Sequence, residues 1–498
     1  MITMIFASLN LRSTFALNQV EIDYEQLQQI NPSEKIQAFF NKGVDTSYKS
    51  GNSRSANGPV DFRKIITNRI NNTQSSINLA VMYIEDKSII DALKAADKKG
   101  INIRIIVDQE KFEILKENLK DTNIEVKDNL GGQIQEGLSG ITSVMHYKFA
   151  IFDHESVESA YLLTGSANWM DRGFDINSNS LLQIQDQALS KAYLDEFEQM
   201  WQGKFNRNKD LSNHRGEIFE IDGRIVELWM SPSVDPFSSF EMRLVNLLKK
   251  AEKSIDFAVY TFSLTSLSET IEKKYLEGID FKGIVNNGIW VGKEVVTLSM
   301  QGITEENLSK PWTTIPHENL RHDAVEGDSS FHYKTFIIDD EIVVTGASNP
   351  TVSAIYVNDE DLLIIHDPLL ANEFTQNFYW HFDKYGGLTK DSKVKIENFD
   401  DENDTIEIKN LSNQEVNITN WKITSTVEPI LEDGNYEKKE FVLKGKTIPV
   451  QASIKILLPN NFINDNHPED KFPIKNSQYD GEIYLFDEND LLQHMVWY

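Results

Sequence analysis

Two short stretches of this 498-residue chain carry the same pair of reactive side chains. The first reads Met145-His146-Tyr147-Lys148-Phe149-Ala150-Ile151-Phe152-Asp153, and the second Phe331-His332-Tyr333-Lys334-Thr335-Phe336-Ile337-Ile338-Asp339. Both are apolar, aromatic runs of the kind that form buried strands. Side chains alternate along a strand, so His146 and Lys148 share a face, as do His332 and Lys334. Phosphodiester cleavage needs a nucleophile on phosphorus, an acid for the departing oxygen, and cations or donors on the non-bridging oxygens. Imidazole titrates near neutrality, so two histidines can hold opposite protonation states and divide the first two roles. A glycine-led polar run follows each stretch, Gly165-Ser166-Ala167-Asn168 and Gly346-Ala347-Ser348-Asn349. Asn168 and Asn349 join Lys148 and Lys334 as holders of phosphate oxygens, with Ser166 and Ser348 as further donors. The lysines can neutralise phosphate charge, so this chemistry requires no metal and no cofactor. Asp153 and Asp339 fall on the opposite face of a continuous strand, which gives them a structural part as hydrogen-bond acceptors.

A lone histidine in an apolar strand is commonplace, but duplication gives the pattern weight. Ser76-Ile77-Asn78-Leu79-Ala80-Val81 recurs 178 residues on as Ser254-Ile255-Asp256-Phe257-Ala258-Val259, and Gly100 recurs at the same spacing as Gly278. The two stretches with their trailing segments resemble the phospholipase D superfamily, whose duplicated HxKxxxxD motifs precede GSxN segments. The resemblance covers residues from about 60 to 390. It implies an α/β fold of duplicated phospholipase D-like α-β-α sandwich domains with pseudo-twofold symmetry. It further implies a covalent phosphohistidine resolved by water or an alcohol, with His146 as nucleophile and His332 as acid. In that superfamily a carboxylate after the GSxN segment orients the histidine, and Glu360 fits the position. The matching frame of the first half, Asn177-Ser178-Asn179-Ser180-Leu181-Leu182, places Asn179 there instead. The second half also has Ala347 where the motif prefers Ser, and the first has about five extra residues between Asp153 and Gly165.

The elements that must position these groups follow a βαβ rhythm, which predicts a parallel or mixed sheet covered by helices. Residues 61–215 form the first repeat: a helix with Phe62, Ile65, Ile66 and Ile70 on one face, then strand 76–84, helix 87–99, strand 101–107 and helix 110–120. A glycine-rich loop over 131–140 leads into the first motif, helix 188–201 closes the repeat, and 206–214 is a polar link. Residues 216–390 repeat the order with a helix bearing Phe240, Leu244, Leu247, Leu248 and Ala251, strand 254–262, helix 267–277 and strand 279–285. The insertion 286–330, with Trp290, Trp312, Pro316, His317 and His322, either roofs the site or packs as a satellite loop. Residues 17–60 read as a polar loop or arm.

From about residue 393 the pattern changes to short alternating strands, predicting an all-β sandwich over 391–498. Residues 406–423 and 480–487 resemble a lamin-tail domain, an immunoglobulin-like module. That resemblance implies binding or surface attachment to an unidentified partner. The acidic turn 400–404 lacks the ordered alternation of a calcium loop and reads as solvated surface.

Composition narrows the class further. With 40% hydrophobic and 25% charged residues the chain is globular. A net charge of −28 repels nucleic acid and anionic membranes at long range, which disfavours a processive DNA binder but not an enzyme with a local basic pocket. No cysteine is present, so neither a disulfide scaffold nor a thiolate zinc site exists. Residues 1–16 form a poor secretion leader, because Asn10 and Arg12 interrupt the apolar run; cytoplasmic and secreted locations both fit. No window approaches the ~18–20 apolar residues of a membrane span. The sequence therefore supports a metal-independent phosphodiesterase, with nucleic acid ahead of phospholipid as substrate. The alternatives are a phospholipase D and a silent phosphate-binding scaffold. A chain that carries both repeats is expected to work as a catalytic monomer.

Overall fold

The computed structural model describes residues 22–129, 143–212, 215–286, 315, 319–323, 330–384, 393–400, 405–430, 436–459, 481–486 and 492–497. The leader candidate, the glycine loop 131–140, most of the insertion including Trp290, Trp312, Pro316 and His317, and acidic residues 401–404 lie outside them. The chain divides into two compact units, one of Met1–Thr297 with Ser329–Tyr379, the other of Leu298–Asp328 with Trp380–Tyr498.

The first unit contains two sheets built to one plan. In the first half, β1 (Ile36–Phe40), β2 (Ser76–Val81), β3 (Asn102–Val107), β4 (Glu125–Asp128), β5 (Lys148–Phe152), β6 (Tyr161–Gly165) and β7 (Ser180–Gln185) lie in the order β1-β7-β6-β5-β2-β3-β4. Strands β2, β3 and β4 run parallel, while β5, β6, β7 and β1 pair antiparallel. The second half has β8 (Arg215–Ile221), β9 (Arg224–Met230), β10 (Ser254–Val259), β11 (Asp280–Val285), β12 (Lys334–Ile338), β13 (Ile342–Gly346) and β14 (Asp361–His366). Its order β9-β14-β13-β12-β10-β11 reproduces that of the first half from β1 through β3, with β8 added outside β9.

That correspondence corrects the reading of residues 17–60 as an arm. Described residues of this segment form helix α1 (Tyr24–Gln29) and then β1, the counterpart of β9, so the first structural repeat begins near Ile36 rather than at residue 61. Ile36, Ala38 and Phe40 are buried, and Phe40 packs edge-on against Phe374. A five-residue strand with polar flanks is too short for periodicity to reveal.

Helices α2 (Phe62–Asn71) and α3 (Lys87–Lys98) start where Asp61 and Asp86 accept backbone N–H groups, a standard cap for the orphan donors of a first turn. Phe62, Ile66 and Ile70 of α2 and Ile89 and Leu93 of α3 pack on Ile77, Leu79 and Val81, the alternate residues of β2. Helix α4 (Gln109–Asn118) follows β3, and helix α5 (Gln187–Trp201) packs on β2, β5 and β6, where Tyr193 meets Phe149 edge-on. Each half is thus a mixed α/β layer structure. No helix among the described residues is long and apolar enough to cross a membrane.

The second unit is built from antiparallel strands. Val394–Asp400, Thr405–Asn410 and Ser453–Leu457 form one sheet, and Tyr436–Val442, Lys422–Ile430, Gly481–Phe486 and Leu492–Trp497 another. Ile406, Ile456, Trp421, Ile423 and Leu485 share a single core drawn from both sheets.

Asp153 and Asp339 end the two motif strands in the left-handed region, at φ 49° and 58°. Asp153 accepts the N–H groups of Gln74, Ser75 and Ser76 and the Ser75 hydroxyl. Asp339 accepts those of Glu252, Lys253 and Ser254. Each carboxylate therefore fastens the end of its motif strand to the start of the neighbouring strand. Because hydrogen bonds to a charged acceptor contribute about 1.5–3 kcal/mol and the stranded donors add a penalty, Asp153→Ala is expected to cost about 2–4 kcal/mol in urea unfolding.

Candidate active site

The regular motif strands begin at Lys148 and Lys334, two residues later than periodicity indicates. The residues just ahead of them leave their own sheets and pair with the other half. Met145 bridges Asp359, and Phe331 bridges Ser178. His146 N–H donates to the Asp359 carbonyl at 2.9 Å, and His332 N–H donates to the Ser178 carbonyl at 2.9 Å. Val144 and Ser330 carbonyls accept the return bonds from Asp359 and Ser178 at 3.0 and 2.9 Å.

This exchange decides what each histidine touches. The His146 ring places Nδ1 at 2.7 Å from Glu360 Oε2, and the His332 ring places Nδ1 at 2.9 Å from the Ser166 carbonyl and 3.1 Å from Asn179 Oδ1. The carboxylate of the second half thus serves the histidine of the first, and the amide of the first half serves the histidine of the second. An oxygen acceptor at Nδ1 places the ring proton there and leaves the Nε2 lone pair for chemistry. Glu360 is fixed by the Asn358 amide at 2.9 Å, and burial pushes its carboxyl up to about 7. Ser166 Oγ donates to Asn179 Oδ1 at 2.8 Å, a link that Ala347 cannot make in the other half.

Gly165 and Gly346 bring the trailing segments in close. A Cβ at either would sit 2.3 Å from the Ser180 carbonyl or 2.6 Å from that of Asp361, so only glycine fits.

Lys148 and Lys334 are each 1% exposed. Each ammonium donates to the carbonyl of its own histidine, at 2.6 and 2.8 Å. Burial pushes Lys148 down to about 8, and burial together with Lys148 pushes Lys334 well below the usual lysine range. Both histidines are likewise held well below 6.5, first by burial and then by both lysines. Burial and neighbouring positive charge therefore disfavour the charged forms of both histidines and of Lys334, a condition that a bound anion relieves. Asn168 and Asn349 occupy matched positions, and the buried Oδ1 of each has no hydrogen-bond partner among the described residues. The Ser348 hydroxyl donates to the Asn349 carbonyl at 3.5 Å, and its N–H donates to the Asp361 carbonyl at 3.2 Å.

Sequence reasoning overlooked Tyr260. Its ring lies 4.9 Å from that of His332, and the Lys334 ammonium sits 5.0 Å from its centroid. The repeat alignment could have found it, since the position after Val81 is Met82 and the position after Val259 is Tyr260.

The chain matches the family described as "Cardiolipin synthase, PLD-like domain" over residues 66–201 and 244–382, more than half its length. It belongs to the PLD-like family. The expectation of a phospholipase D-like enzyme holds with it. Among curated relatives, mitochondrial cardiolipin hydrolase of Xenopus tropicalis is 27% identical over 158 residues, 31% of this chain and 67% of that protein. Phospholipase D of Rickettsia prowazekii (strain Madrid E) is 23% identical over 192 residues, 39% of this chain and 80% of that protein. The crystal structure of phosphatidylserine synthase from Haemophilus influenzae aligns at 14% identity and a TM-score of 0.49, covering 71% of this chain and 88% of that one. A likeness at that level says nothing of substrate.

The clustered buried cations predict a measurable response to inorganic phosphate. A ligand at a hundred times its Kd stabilises the folded state by about 2.7 kcal/mol. Phosphate is therefore expected to raise the thermal midpoint of the wild type, and Lys334→Met to lose most of that rise.

Proposed function

We propose that this chain hydrolyses phosphodiesters through a phosphohistidine on His146, without a metal or cofactor. The observation that carries the reading is the 2.7 Å pairing of His146 with Glu360. Attack by the Nε2 lone pair on phosphorus forms a P–N bond and leaves positive charge on the ring, which the Glu360 carboxylate stabilises through the Nδ1 proton. As the P–O bond to the leaving group breaks, the departing oxygen takes a proton from His332 Nε2. Water then attacks phosphorus and gives a proton to the now neutral His332, and the P–N electron pair returns to His146. Lys148, Lys334, Asn168 and Asn349 hold the non-bridging oxygens, where negative charge must be met in a water-poor site. His332 has an amide and a carbonyl in place of a carboxylate, so its imidazolium is the less stabilised and the readier proton donor. Each half supplies the partner of the other's histidine, so one chain suffices as a catalytic monomer.

Nucleic acid is the first substrate class, on the compact βαβ halves and on the lamin-tail-like, immunoglobulin-like reading of the C-terminal β unit, which would recruit an unidentified partner. Phospholipid is the second. The family description and the names of the curated relatives favour it, whereas the net charge of −28 repels nucleic acid and anionic membranes alike and does not separate the two.

Hydrolysis of single-stranded DNA, duplex DNA, RNA, phosphatidylcholine and cardiolipin in EDTA tests the proposal. Wild type is expected to turn over at least one of them, and His146→Ala and His332→Ala to lose about 10²–10⁴-fold, the scale of general acid–base catalysis. Lipid turnover alone would move the substrate to phospholipids. Activity that needs an added metal, or that survives both substitutions, would overturn the mechanism.

A further inference from the structure

We infer that Lys209 is a positioning residue for the His146–Glu360 pair: its buried ammonium ties the main chain on both sides of that pair to the segment joining the two halves. Lys209 lies between α5 and β8, with its side chain 1% exposed. Its Nζ pairs with Glu196 of α5 and with Asp359 Oδ1 at 2.6 Å, and it donates to the Ser231 carbonyl at 3.0 Å. Glu196 in turn accepts the hydroxyl of Tyr147, the residue after His146, at 2.7 Å. The Asp359 carboxylate also takes the Asn206 N–H at 2.8 Å, and the carbonyl of the same residue accepts the His146 N–H.

Glu360 therefore stands between two anchored acids. Asp359 is held through Lys209 and Asn206, and Asp361 is held through the hydroxyls of Thr164 and Tyr193 at 2.6 and 2.8 Å. Every one of these anchors comes from the first half or from the connector. On the His332 side, the residues at the positions of Asp359 and Glu360 are neutral. Ser178 stands at the Asp359 position, and Asn41 accepts the Asn179 N–H at 2.8 Å while its amide donates to the carbonyls of Phe174 and Asn177. An ionic frame thus surrounds the histidine that must carry positive charge, and a neutral one surrounds its partner. Breaking a buried ion pair from one side leaves an uncompensated charge, so the frame should yield when Lys209 is neutralised.

The inference rests on the phosphohistidine reading, but its first test needs no turnover. In full-length protein labelled with 15N-histidine, the Nδ1 proton of His146 is assigned by its loss in His146→Ala, and that of His332 by its loss in His332→Ala. Lys209→Met is expected to shift or broaden the His146 signal and to leave that of His332 in place. On bis(4-nitrophenyl) phosphate the same variant is expected to lose at least ten-fold in kcat with KM within two-fold. Asp359→Asn should reproduce both effects, and the double variant should add little. If Lys209→Met does not fold, Asp359→Asn decides on the same readouts. An unmoved His146 signal, or equal disturbance of both histidine signals in a folded variant, would overturn the positioning role. Wild-type inertness on every diester would count against the proposed function and leave the spectroscopic result standing.

Discussion

The site depends on one exchange of backbone between the halves. Residues 144–146 pair with Asp359, and residues 330–332 pair with Ser178, so neither histidine is positioned by its own sheet alone. Each sheet supplies a lysine at the start of a buried strand, where backbone geometry fixes the ammonium against its own histidine's carbonyl. The partner atom at each Nδ1 then arrives from the opposite sheet. A repeat unfolded away from its twin would keep its lysine and lose the group that orients its imidazole.

Duplication gives a symmetric frame, and a few substitutions make it chemically unequal. Glu360 and Asp359 answer to Asn179 and Ser178, and Tyr260 answers to Met82. A carboxylate at Nδ1 favours the charged ring, whereas an amide and a carbonyl orient without neutralising. Two histidines with the same motif can thus divide nucleophilic and acid duties because their second contacts differ.

Much of this was legible in the sequence because it was local. The duplicated His-x-Lys runs, the recurring strand from Ser76 and from Ser254, and the capped helices that follow are patterns within a dozen residues. Glu360 was singled out only through the family resemblance. What stayed hidden was long-range. No local signal says that Glu360 meets His146, 214 residues away, or that Lys209 meets Asp359 across 150. Strand β1 was missed because the partner of Ile36–Phe40, Ser180–Gln185, lies at the far end of the first repeat. The start of the motif strands was misjudged for a related reason: His146 and His332 alternate correctly, but their hydrogen bonds go to the other half.

The central claim is that His146, backed by Glu360, forms the covalent bond to phosphorus. Rapid alkaline quenching during turnover, followed by peptide mass spectrometry, tests it most directly, since a phosphoramidate survives base and is lost in acid. The account predicts a transient adduct on the peptide bearing His146 and none on that bearing His332. An adduct confined to His332, or steady turnover with no adduct on either, would contradict it.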